Sequence, residues 1–248
     1  VYASTGNAVG AVYCSGQGGD QGTRALINNL YGGTFTDAAH TMYTADSEEN
    51  IKAIQALVDS DAITFDASIA GGDEIRLFRQ GVLNVAFCWN IAQQLNADNN
   101  TAGLTNDGDE ILFMAFPSEN GTDTKLCGGI WGFGIFDNGD ANKIAASKLF
   151  IKYMADSAEG TKDAVLSSTY FPVRDTVEGV DLTGIYSDVQ AMSDYGTLMQ
   201  YLGDYYQVTP GWAEARTAWW NMLQQVGSGV DVETAVNEFV ATSNAAAK

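Results

Sequence analysis

Apolar residues along this chain alternate between helical spacing and short continuous runs. Thr23 to Tyr31 sets Leu26, Ile27 and Leu30 on one face, and Gly32 and Gly33 supply a stop. Asp46, with Glu49 three residues on, reads as a cap and its reciprocal acid. It opens a helix whose apolar positions are Ile51, Ile54, Leu57 and Val58. Asp73 to Gln80 is a shorter helix ended by Gly81. The run Val82 to Trp89 is almost wholly apolar and predicts a strand buried on both faces. Ile111 to Phe116, stopped by Pro117, and Ile130 to Phe136 predict two more strands, with residues 96–110 a polar connector. Asp137-Asn138-Gly139-Asp140 is a turn opening a helix with Ala145, Leu149, Phe150 and Tyr153 in one stripe. Ala215, Trp219, Met222, Leu223 and Val226 form a further stripe, broken at Gly227 and Gly229. A last one, capped by Asp231, holds Val232, Ala235, Val236, Phe239 and Val240. This order is α/β with a helix-rich final third, and it contains no internal repeat.

Composition narrows the class. With 46% apolar and 11% aromatic residues in 248, the chain buries a real core and is no acidic disordered tail. Its 31 acids against 12 bases give a net charge of −19, which repels nucleic acid and anionic lipid. A soluble monomer is the expectation. No apolar run approaches the roughly 20 residues needed to cross a bilayer, and Val1 to Ala11 lacks the basic start and apolar stretch of a signal peptide. If the protein is exported, its targeting segment is absent from this chain. Cys14, Cys88 and Cys127 are widely spaced and fit neither a zinc site nor a disulfide framework, so they read as free thiols.

Catalytic motifs are missing. The single histidine, His40, lies in a polar loop, where a surface role is the ordinary one. The glycines at 16, 18 and 19 are followed by Gln21 where a dinucleotide loop needs glycine, and no Gly-Lys-Ser/Thr occurs. No cofactor and no metal are expected. A carboxylate pair for glycoside hydrolysis stays open, because its spacing is three-dimensional. The tryptophans carry more information. Each offers a flat apolar face and an N–H, which suits a sugar ring and its hydroxyl rim. Trp89 ends a strand, Trp131 sits among the glycines of Gly128-Gly129-Ile130-Trp131-Gly132, and Trp212 follows Pro210-Gly211 at a helix start. For these three, pocket and core are both open readings. Of Trp219 and Trp220, one faces the core and the other a surface. Asp20, Arg24 and Arg216 are candidates for hydrogen bonds to hydroxyls, with a solvated surface as the alternative.

Taken in order, these segments resemble the type-1 extracellular solute-binding proteins, the maltodextrin- and oligosaccharide-binding group. Helix 48–58, Phe65-Asp66 and Glu74-x-x-x-Phe78-x-x-Gly81 look like the helix pair before that family's Gly-x-x-Ala-Met strand, here Gly81 to Phe87 closing in Cys88-Trp89. Phe113-Met114-Ala115-Phe116-Pro117 and Gly128-Gly129-Ile130-Trp131-Gly132-Phe133-Gly134-Ile135 look like its next two strands. Phe171-Pro172-Val173-Arg174 resembles its P-x-R stretch, and Trp212 to Val226 with Asp231 to Val236 its closing helices. The succession carries the resemblance, since no one motif is strong.

The resemblance implies a periplasmic-binding-protein-like (type II) two-lobe α/β fold, here mainly the second lobe with part of the first. Residues 1–127 and 186–248 would form the second lobe and 128–185 a remnant of the first, with hinge crossings near 128 and 186. The strands that lead the family's first lobe have no counterpart, and half a clamp binds weakly at best. By position, the ligand-binding set is Asp20, Arg24, Trp89, Gly129, Trp131, Trp212, Arg216 and Trp219, although the residues usual before the Trp89 aromatic are absent. The implied function is capture of a mono- or oligosaccharide without catalysis, outside the membrane, as a periplasmic protein or cell-surface lipoprotein. A membrane ABC permease is the implied partner. Other readings are a receptor for a polyamine or peptide, a carboxylate-based carbohydrate-active enzyme, and an interaction module.

Overall fold

The structure, a computed structural model, describes residues 9–13, 20–66, 68–69, 71–87, 104–121, 124–127, 132–168, 170–188, 190–204 and 206–248. The chain separates into two compact units. The described residues of Val1–Trp89, Leu104–Gly128 and Leu198–Lys248 make the larger, and those of Gly129–Thr197 the smaller.

The larger unit contains β1 (Gly10–Tyr13), α1 (Asp20–Tyr31), α2 (Glu48–Val58), β2 (Ile63–Asp66) and α3 (Gly71–Arg79). β1 and β2 pair in parallel, Gly10 with Ile63 through Tyr13 with Asp66. The chain later adds β3 (Leu126–Cys127) and leaves for the smaller unit, which holds α4 (Ala141–Asp156), α5 (Ala158–Ser168), β4 (Thr176–Val177), β5 (Val180–Asp181) and α6 (Gln190–Gly196). It returns through β6 (Leu202–Asp204), which pairs in parallel with β3, and ends in α7 (Trp212–Gly227) and α8 (Val232–Ala246).

Local chemistry explains these boundaries. The cap of α2 falls one residue later than expected: it is Ser47, whose backbone is extended and whose hydroxyl accepts from the Asn50 N–H at 3.3 Å. Glu48 and Glu49 in the first turn suit the positive end of the helix dipole. The Asn50 side chain in turn donates to the Thr34 carbonyl at 2.6 Å and crowds residue 33, where any Cβ would collide with the amide. Only glycine fits at Gly33. Between β4 and β5, Glu178 and Gly179 both have positive φ, at 49° and 80°, as a two-residue type I′ hairpin requires.

Asp231 caps α8 as expected, accepting from the Thr234 N–H at 2.9 Å and the Thr234 hydroxyl at 2.8 Å. These bonds, the backbone one first, hold its carboxyl below the usual carboxylate value. A depressed folded pKa gives stability that is present above the unfolded value of about 3.9 and lost as pH falls through the folded one. Asp231→Ala is therefore expected to lower the thermal midpoint at pH 7, with the gap to wild type closing in acid. Calorimetry at the two pH values checks it, and a gap that persists in acid contradicts it.

One core fills the larger unit. Leu26 and Ile27 of α1, Ile54 and Leu57 of α2 and Val12 of β1 meet Trp219, Met222, Leu223 and Val226 of α7 and Val232, Val236 and Phe239 of α8. Phe35 sits at its centre, with ring centroids 5.7 Å from Tyr43, 5.2 Å from Trp219 and 5.6 Å from Phe239.

The expected strands differ. Residues 82–87 and 111–116 join no ladder in the structure. The Asn84 and Val85 N–H groups donate to the Val9 carbonyl at 2.8 and 2.9 Å, and the Phe87 N–H donates to the Glu74 carboxylate at 2.7 Å. Val82 and Val85 are exposed, not buried on both faces as expected. Ile111 is buried while Leu112 and Met114 face solvent, the alternation of a strand without its pairing. Of the third expected strand, residues 132–136 are described and are also unpaired. The α4 stripe forms where expected, behind the Asp140 cap, yet Leu149 is 71% and Phe150 54% exposed. The Phe133 ring meets Phe150 edge-on at 5.9 Å, yet all four residues of the stripe stay exposed.

Candidate functional site

The described candidates gather where α7 begins. Gly211 precedes Trp212 with φ of 71°, and a Cβ there would come within 2.8 Å of the Ala246 backbone at the end of α8. That close approach seats the start of α7 on the end of its neighbour. Tyr43 holds the same corner from the other side: its hydroxyl donates to the Pro210 carbonyl at 3.0 Å. Its own backbone exchanges two hydrogen bonds with the Asn244 side chain, at 2.8 and 3.0 Å. Burial pushes the Tyr43 hydroxyl up to about 12, against the opposing charge of Arg24, so it stays a proton donor at neutral pH.

Trp212, set by that corner, is half-buried, and its ring packs edge-on to Phe35 at 6.3 Å. Arg216, one helical turn on and also half-buried, brings its guanidinium to 5.9 Å from the Trp212 ring centre. Arg24 of α1 lies at 4.7 Å from that centre and 5.3 Å from the Phe35 ring. Guanidinium is weakly hydrated and stacks on aromatic faces, which favours it here over an ammonium. Its exposure is 0%. Trp219 is likewise in the core, 1% exposed, with its indole N–H donating to the Thr23 hydroxyl at 3.2 Å. Neither presents a surface to solvent there, while half-buried Trp220 is the partner that faces outward.

Asp20 opens α1, but its side chain lies outside the described residues, as do Trp89, Gly129, Trp131, Cys14 and Cys88 and the side chain of Cys127. His40 belongs to a turn with φ of 53°, its ring nitrogen 3.1 Å from the Thr36 hydroxyl. Among the described residues no group of three or more His, Cys, Asp or Glu is placed to hold a metal ion. No described helix is long and apolar enough to cross a membrane. Phe35 and Tyr43, which build the wall behind Trp212, had escaped the sequence reading. They lie between helices, where periodicity carries no signal.

The arrangement pairs an accessible indole with a neighbouring guanidinium. That combination stacks on a ring and donates a planar fork of hydrogen bonds to adjacent oxygens. No protein-family model and no curated protein matches the chain. Among solved structures the chain is similar to the GacH receptor of Streptomyces glaucescens GLA.O, crystallised unliganded and in complex with acarbose and an acarbose homolog. Identity is 21% and the TM-score 0.63, over 99% of this chain and 59% of that one. The fold is periplasmic-binding-protein-like. The chain spans about 59% of the receptor's length, so it represents part of that two-lobe α/β architecture.

Proposed function

We infer that this chain is the main ligand-contacting part of an extracytoplasmic receptor of the type-1 solute-binding family, taking up a mono- or oligosaccharide without catalysis for a membrane ABC permease. The observation that carries this reading is the Trp212 and Arg216 pair at the start of α7. It stands in a fold shared with a receptor crystallised in complex with acarbose. Trp212 stacks on the sugar and Arg216 grips its hydroxyls. Trp219 and Arg24 act from behind, through the core. Asp20, Trp89, Gly129 and Trp131 complete the set by their positions in the resemblance. The larger unit is the second lobe and the smaller unit part of the first.

Titration calorimetry of the chain with acarbose, maltose, maltotriose and glucose, beside spermidine and a neutral tripeptide, tests this. Saturable heat with one sugar class is expected, with a dissociation constant on the order of 1 mM, about −4 kcal/mol. Saturation by spermidine or the peptide alone keeps the fold and overturns the ligand. Release of reducing ends from maltotriose points instead to an enzyme.

A further inference from the structure

Tyr43 is wholly buried in the larger unit, and its backbone is held from two sides. It faces Thr36 across a single antiparallel bridge, and the Thr44 N–H beside it donates to the Phe35 carbonyl at 3.0 Å. Asp37 closes the turn between Thr36 and Tyr43. Its carboxylate accepts from the Thr41 N–H at 2.6 Å, the Thr41 hydroxyl at 2.7 Å and the Met42 N–H at 3.0 Å. From the other side, the Asn244 amide of α8 takes both the N–H and the carbonyl of Tyr43. Tyr43 is thus the fixed end of its bond to Pro210. Its hydroxyl ties down the Pro210 carbonyl, and the planar peptide carries that constraint to the Gly211 nitrogen. Proline adds a fixed φ, and the Gly211 carbonyl is committed to the Ala215 N–H at 2.9 Å. Both peptide planes ahead of Trp212 are thereby set.

We propose that Tyr43 is a positioning residue: through the Pro210 carbonyl its hydroxyl sets how the Trp212 side chain leaves the start of α7, and so which face the indole turns to a sugar. The inference rests on the sugar-receptor reading for its consequence in binding, and on the bond to Pro210 alone for its consequence at the indole. Every residue in it belongs to the larger unit. Tyr43→Phe removes the hydroxyl and keeps the ring that packs on Phe35 at 5.7 Å and Phe239 at 6.4 Å. Asn244→Ala leaves the hydroxyl and frees the backbone that carries it. Val226→Ala, a core truncation about 21 Å along α7 from Trp212, serves as the control for lost stability.

Fluorine NMR of the full chain labelled with fluorotryptophan reads the indole without ligand, its Trp212 resonance assigned by Trp212→Phe. In Tyr43→Phe and in Asn244→Ala that resonance should move or split, and in Val226→Ala it should stay. Titration with acarbose and maltotriose reads the site. Tyr43→Phe should weaken the sugar bound by wild type about fivefold, and Val226→Ala not at all, although its thermal midpoint falls further. An unmoved Trp212 resonance in Tyr43→Phe overturns the proposal. So does a moved resonance with unchanged affinity, or an equal affinity loss in Val226→Ala. If wild type binds neither sugar, the receptor reading fails at that step, and the resonance alone decides whether Tyr43 sets Trp212.

Discussion

Trp219→Ala is expected to cost about 3–5 kcal/mol of unfolding free energy, the upper range for a buried aromatic. The indole lies between the Phe35 ring at 5.2 Å and the Phe239 ring at 5.3 Å, both close to perpendicular to it. Truncation opens a cavity where α1, α7 and α8 meet, and three helices cannot collapse independently onto it. It also removes the indole N–H that donates to the wholly buried Thr23 hydroxyl. A domain of ordinary stability has about 5–15 kcal/mol in total, so this one change removes a large share of it. Trp219→Phe keeps most of the ring and should cost less, about 1–2 kcal/mol. Urea unfolding of the three proteins gives the comparison. A midpoint for Trp219→Ala within error of wild type would mean that the residue is not buried as described, and would return it to the set of direct ligand contacts.

What the sequence made legible follows from range. α1, α2, α7 and α8 were readable because each buries one stripe, and a stripe is written at spacings of three and four. The Asp231 cap was readable for the same reason, being settled within three residues. The strands were not. Residues 82–87 and 111–116 have strand composition, but a strand exists only through a partner, and in 82–87 the Val9 carbonyl and the Glu74 carboxylate take amides that a ladder would use. The α4 stripe makes a related point: periodicity says which face is apolar, not what lies over it. At the site, Trp212 and Arg216 were legible as neighbours because they are four apart on one helix. Arg24 was read on residue type as a candidate donor to ligand hydroxyls, with a solvated surface as the alternative. That two aromatic rings enclose it depends on a loop and on a helix nearly 190 positions away.

The second large effect is expected at Trp212, and there it should appear in binding more than in folding. The ring is half-buried, so its loss costs less stability than that of Trp219, about 1–2 kcal/mol. Its ligand-facing contribution is that of an aromatic anchor, for which truncation removes about 2 kcal/mol of binding, or roughly thirtyfold in Kd. Trp212→Phe should recover part of this, because a smaller ring still stacks but covers less of the sugar. Arg216→Lys should not recover what Arg216→Met loses, since an ammonium offers no planar fork to adjacent oxygens. Calorimetric titration of these four variants with the sugar that wild type binds separates the contributions, with thermal midpoints measured alongside. Unchanged affinity in Trp212→Ala would move the contact surface away from the start of α7 and leave Trp89 and Trp131 as the aromatics to test next. A loss confined to Arg216→Met would mean that polar contacts, rather than stacking, hold the ligand at this end of the helix.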